Sequence, residues 1–148
     1  MQQNISVNEE NKLKAYAQWV QISITPKGFD LVIKNVEQLW GKFYSGTKDN
    51  EVNIGNIEGH KVLSGETYII SSCGRENASS GTEGSFDIYD SKNDKKVGNY
   101  YWSCPWGSKT NTSTWKEGGY EDYITQVTGG NLDSGALGNI FIKVAYLG

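Results

Sequence analysis

Apolar side chains in this chain recur at every second position. Val20, Ile22 and Ile24 alternate with Trp19, Gln21 and Ser23, and Phe29, Leu31 and Ile33 alternate with Asp30, Val32 and Lys34. Leu39 and Phe43 lie opposite Trp40, Lys42 and Tyr44. A period of two sends successive side chains to opposite faces of a sheet, so these runs predict strands. Further strands are predicted over 67–72, 85–89, 97–102, 123–128 and 140–146. Turn-forming stretches such as Lys92-Asn93-Asp94 and Thr128-Gly129-Gly130-Asn131 separate them. Eight short strands with only two prolines predict an all-β protein, a single antiparallel β-sandwich. The polar residues 1–14 are predicted to form a flexible tail ahead of a domain over 15–148. No repeat, linker or low-complexity tract interrupts that domain.

At 148 residues the chain has room for one two-layer core. Its net charge of −3, with 21% charged residues, argues against nucleic-acid binding and against simple adhesion to anionic lipid. A membrane would therefore be met through specific headgroups. Mean hydropathy is −0.56 and no apolar run is long enough for a helical span. The stretch from Met1 to Lys14 has no basic flank followed by an apolar core, so no signal peptide is predicted. Release by a non-classical route and action at a target-cell membrane are the matching expectation. Cys73 and Cys104 could pair, but without a secretion signal reduced thiols are expected.

The densest chemistry lies at Tyr100-Tyr101-Trp102-Ser103-Cys104-Pro105-Trp106-Gly107-Ser108-Lys109-Thr110-Asn111. Pro105 and Gly107 keep this run from continuing as a regular strand. The result is a rigid aromatic corner with a cation beside it, suited to a lipid headgroup layer or to stacking on a ligand. Trp19 and Trp40 fall on the polar side of their strands. They either cover the sandwich edge or belong to an exposed aromatic patch, and Tyr101, Trp102 and Trp106 strengthen the patch reading. Trp102 and Trp106 stand four apart around a bend, so one can be an anchor and the other core.

Five blocks now carry a resemblance: Ala15-Tyr16-Ala17-Gln18-Trp19-Val20, Trp40-Gly41-Lys42, Cys73-Gly74-Arg75, the 101–111 run, and Asn131-Leu132-Asp133-Ser134-Gly135-Ala136-Leu137-Gly138. In this order, over roughly residues 15–147, they resemble the aegerolysin family. The resemblance implies an aegerolysin-type, actinoporin-like sandwich that recognises sphingolipid-containing membranes. The lipid would be sphingomyelin with sterol or ceramide phosphoethanolamine. It also implies a larger partner of the membrane-attack-complex/perforin (MACPF) class that makes the pore, and it leans toward a bacterial, insecticidal two-component system. By motif match, Trp19, Trp40, Tyr101, Trp106 and Lys109 become lipid-contact candidates, joined by Trp102 and by the Ser108 hydroxyl beside Lys109. Aromatic faces attract a quaternary or primary ammonium, and a lysine with nearby hydroxyl and amide donors holds a phosphate. Several fungal relatives carry an acidic residue just before the glycine of this loop, where Ser80 of Ser79-Ser80-Gly81 stands here. Ser79 and Ser80 are therefore either a lipid-selectivity loop or a plain hydrophilic turn.

Enzymatic readings find little support. His60 is the only histidine, in a solvated turn context, and Cys104 reads as an inert buried thiol beside Pro105. Asp87, Asp90 and Asp94 lack the spacing of a calcium loop, and Gly107-Ser108-Lys109 is no phosphate-binding loop. No catalytic residue, metal site or cofactor is predicted. The chief rival reading is a lectin-like sandwich whose aromatics stack on sugars. A third would use the aromatic patch for homodimerisation.

Overall fold

The computed structural model of the protein describes residues 7–148. A helix α1 (Val7–Tyr16) precedes strands β1 (Trp19–Lys27), β2 (Leu31–Trp40), β3 (Lys42–Ser45) and β4 (Thr47–Val52). A 3₁₀ turn (Ile54–Asn56) leads to β5 (Lys61–Val62), β6 (Tyr68–Cys73), β7 (Thr82–Asp90) and β8 (Lys96–Cys104). The chain ends with β9 (Thr112–Glu117), β10 (Tyr123–Gly129) and β11 (Gly138–Tyr146). Two sheets result, ordered β10-β11-β1-β6-β3-β4 and β5-β2-β7-β8-β9. All pairings are antiparallel except that of β1 with β11.

The alternation read from the sequence is what builds the core. Val20, Ile22 and Ile24 of β1, Leu31 and Ile33 of β2, and Ile140, Ile142 and Val144 of β11 all face the space between the sheets. Fully burying such a side chain contributes about 1.5–3 kcal/mol. An aromatic cluster fills the middle: Phe86 lies 5.7 Å from Tyr100, and Trp102 packs edge-on against Phe43 at 6.1 Å. A polar chain crosses the same core. The Trp102 indole donates to Thr82 (3.0 Å), the Thr82 and Ser72 hydroxyls share a bond, and the Gln38 amide donates to Ser72 (2.9 Å).

Two expectations change. The run 39–44 is not one strand, because the chain crosses from one sheet to the other at Gly41. Its φ of +89° and the Cys73 carbonyl, which a Cβ would approach to 2.5 Å, admit only glycine comfortably. Leu39, expected on the apolar side with Phe43, is consequently exposed. Second, much of the predicted tail 1–14 is helix; its residues 1–6 lie outside the described residues. Ala15 is buried, and Lys48 donates to the Tyr16 carbonyl (2.6 Å), satisfying an end of α1 that has no partner within the helix.

Candidate functional site

The strand pairings bring one set of strand ends together. Trp19 of β1 faces Cys73 of β6, which faces Lys42 of β3; Trp40 of β2 faces Glu83 of β7, which faces Ser103 of β8. This pole of the sandwich carries three loops: 74–81, 105–111 and 130–137. They are clamped to one another. The Gln18 amide nitrogen donates to the carbonyls of Pro105 and Gly135 (3.1 Å each). Asn111 donates to the carbonyls of Asn131 (2.8 Å) and Gly135 (3.0 Å). Gly81, at φ +70°, lies so close to the Cys104 carbonyl that a Cβ would stand 2.2 Å from it. The pole is thus a pre-organised surface, not a set of free loops.

The sequence-derived candidates distribute over it unevenly. Trp40, the last residue of β2, is 55% exposed. Trp106 is partly exposed and walls a cavity of about 300 Å³ with Lys14, Ala17 and Gln18. Ser108 and Lys109 are exposed in the same loop, and Lys109 has no ion-pair partner among the described residues. Ser79 is exposed and Ser80 half-buried in the adjacent loop. Trp19 and Tyr101 flank the pole on the outer faces of the two sheets. The Lys48 ammonium sits 5.3 Å over the Trp19 ring, and the Tyr101 hydroxyl donates to Glu83. Burial, and then that carboxylate, raise the Tyr101 phenol above its ordinary value. Trp102 does not belong to this surface. It is 0% exposed, so its place among the lipid contacts is corrected to the core.

A polar cluster that sequence reasoning missed ties α1 to the pole. Lys42 is only 3% exposed, yet its ammonium donates to Tyr16 (2.7 Å) and Glu76 (2.9 Å) and lies 4.7 Å from the Tyr16 ring. Tyr16 donates in turn to Asp49 (2.8 Å). Burial pulls the Lys42 ammonium down, but the bonds to Tyr16 and Glu76 outweigh it and leave the group above its usual value. Its bond holds the Glu76 carboxyl below the usual range. Lys48, which bonds the helix carbonyl and lies over the Trp19 ring, is lowered by burial. Lys42 stands in Trp40-Gly41-Lys42, and a lysine directly after the sheet-crossing glycine is the one signal that could have flagged it.

A small two-sheet sandwich with a rigid, aromatic, partly cationic pole is the class of protein that the fold and this surface define. The chain belongs to the aegerolysin family, whose pattern matches residues 17–146. It is 48% identical over 131 residues to ostreolysin A6 of Pleurotus ostreatus, covering 86% of this chain and 94% of that protein. It is 37% identical over 135 residues to Asp-hemolysin of Aspergillus fumigatus, covering 89% and 95%. Among solved structures, IP-1A from Alcaligenes faecalis superposes with a TM-score of 0.87 at 44% identity, covering 95% of this chain and 99% of that one. The family is one of lipid-binding, cytolysin-related proteins. Helix α1 lies outside the matched segment, so the Tyr16–Lys42–Glu76 cluster joins an element beyond the family pattern to loop 74–81.

Proposed function

We propose that this protein is the membrane-recognition component of a two-component cytolysin, binding a zwitterionic sphingolipid headgroup at its aromatic pole and acting with a perforin-like pore-forming partner. It needs no enzymatic step: its task is to supply an address at the target-cell membrane. The observation that carries this reading is the sharing of one rigid pole by exposed Trp40, partly exposed Trp106 and exposed Lys109. Tryptophan, with an apolar body and a polar tip, suits the headgroup layer. An indole face attracts the headgroup ammonium by about 0.5–2 kcal/mol depending on desolvation, and Lys109 with Ser108 reaches the phosphate. Loop 74–81, held by Glu76 to Lys42, borders the pole and is where lipid preference would be tuned.

The test is vesicle sedimentation with three compositions: sphingomyelin–cholesterol, ceramide phosphoethanolamine, and phosphatidylcholine alone. Binding to at least one sphingolipid composition and not to plain phosphatidylcholine is expected. Equal binding to all three, or binding to none together with a positive glycan array, would overturn the reading in favour of general lipid adhesion or of a lectin.

A further inference from the structure

The sandwich has four open strand edges, and three are guarded. β4 carries Lys48, Asp49 and Glu51, β9 carries Lys116 and Glu117, and β5 is only two residues long. Charges and short lengths are the usual means of keeping an edge from pairing with another chain. β10 has neither. Its seven residues, Tyr-Ile-Thr-Gln-Val-Thr-Gly, include no charge and no proline, and its register with β11 runs unbroken from Tyr123↔Tyr146 to Gly129↔Ile140.

The polarity of this edge follows from one bond. The Leu147 N–H donates to the Asp122 carbonyl (2.6 Å), and these two residues continue the β10–β11 register by one step. Bonded pairs alternate with non-bonded pairs in an antiparallel ladder. Ile124, Gln126 and Thr128 therefore bond to β11, while Tyr123, Thr125 and Val127 turn their backbone N–H and C=O outward. The outward set is symmetric about Thr125, whose hydroxyl is itself buried without a partner.

We infer that β10 is a pairing edge for the β10 of a second copy of this chain, arranged antiparallel about a two-fold axis at Thr125. Thr125 then faces Thr125 of the second copy, and Tyr123 and Val127 face the second copy's Val127 and Tyr123, each pair exchanging two backbone bonds. Ile124, 60% exposed, lies beside Gln126 of the second copy, and Asp122 opposes Thr128. No like charges meet and no charged side chain of β10 loses water, which fits self-pairing. β10 runs toward the aromatic pole, so antiparallel pairing sends the two poles in opposite directions. A dimer so built bridges two membranes; this last consequence rests on the lipid-binding reading above.

Sedimentation velocity on the full chain over the micromolar range tests the pairing. The wild type is expected to form a reversible dimer at twice the 16.4 kDa chain mass. Thr125→Pro removes an outward-facing donor and no bond to β11, and Ile124→Lys sets a charge in the middle of the pairing seam; both are expected to sediment at onefold mass with wild-type circular dichroism. The double variant Ile124→Cys/Gln126→Cys places cysteines opposite each other in non-bonded pairs and is expected to yield a covalent dimer on oxidation. A wild type that stays monomeric, a dimer that survives both edge variants, or a double-cysteine variant that never cross-links overturns the inference. On sphingolipid vesicles, the wild type should cluster them while Thr125→Pro binds without clustering. A dimer that binds vesicles without clustering them overturns the opposed-pole geometry. Absence of vesicle binding instead counts against the lipid reading, with the sedimentation result standing apart.

Discussion

Trp40→Ala and Trp102→Ala should fail in opposite assays. Trp102 is fully buried, touches Phe43, Phe86 and Tyr100, and donates its indole N–H to Thr82 at 3.0 Å. Truncating a core tryptophan costs about 3–5 kcal/mol, because the lost transfer energy is compounded by a cavity. Thr82 keeps its bond to Ser72, so no orphaned hydroxyl adds to that cost. Against a total stability of about 5–15 kcal/mol, the loss is about a fifth or more of what holds the domain together. Trp40, more than half exposed, packs little of its ring in the folded state, so its truncation should move stability by only about 0.5 kcal/mol. If its indole anchors lipid, its removal should cost about 2–4 kcal/mol of binding, the range of an interface hot spot. That is about 30- to 700-fold in vesicle affinity. Urea unfolding and vesicle sedimentation on both variants make the measurement. A Trp40→Ala protein that binds like the wild type would refute the assignment of the pole. A Trp102→Ala protein of wild-type stability that no longer binds would refute the division between core and surface.

Three other outcomes are expected. Raising salt from low to physiological ionic strength should change vesicle binding little, because on the proposed reading an acidic protein would meet a zwitterionic headgroup at contact distance; a steep loss would point to anionic lipid. Acid should weaken the attachment of α1. Lys42 holds the Glu76 carboxyl below its ordinary 4.5, so the contribution of that pair is complete above about pH 4.5 and fades as pH falls through the lower folded value. The melting temperature of the wild type should therefore drop more than that of Glu76→Gln between about pH 6 and pH 3, since the lowered carboxyls of Asp49 and Glu51 are common to both; parallel curves would show that the pair adds nothing. Finally, the pure protein at micromolar concentration should bind dye-loaded sphingolipid vesicles and release little dye, and fast complete release without a second protein would contradict the division of labour.

Period-two alternation was enough to locate β1, β2, β6, β7, β8, β10 and β11, because each buries one face against the opposite sheet. β4 and β9 escaped it. Thr-Lys-Asp-Asn-Glu-Val and Thr-Ser-Thr-Trp-Lys-Glu are polar edge strands that each pack a single apolar residue, Val52 or Trp115, against the core, too little to show as alternation. Helix α1 was illegible for a different reason: the contacts that dock it join Tyr16 to Lys42, Lys48 and Asp49, residues 26 to 33 positions away. Trp102 was legible and was obscured by its neighbours. It shares parity with Tyr100 and Cys104, both buried, whereas Tyr101 and Ser103 face outward. The density of aromatics around Pro105 masks that parity. The shared pole of Trp40, Trp106 and Lys109 needed the pairing of β2 with β7 and of β7 with β8, which no local pattern encodes.

The same burial that makes the strands legible also limits what they can do at a membrane. A transmembrane hairpin takes about 9–11 residues per strand with an unbroken apolar face turned to lipid. The strands of that length here are β1, β2, β7, β8 and β11, and in each the apolar face already forms the common core. Turning those faces to lipid would dismantle the sandwich, including the clamps of Gln18 and Asn111 that shape the pole. Helix α1, ten residues and about 15 Å long, falls well short of a bilayer core of about 30 Å. Binding should therefore engage a body that keeps its native fold. The far-ultraviolet circular dichroism of the protein on sphingolipid vesicles should match that in solution, and a marked change on binding would mean that these strands do leave the core.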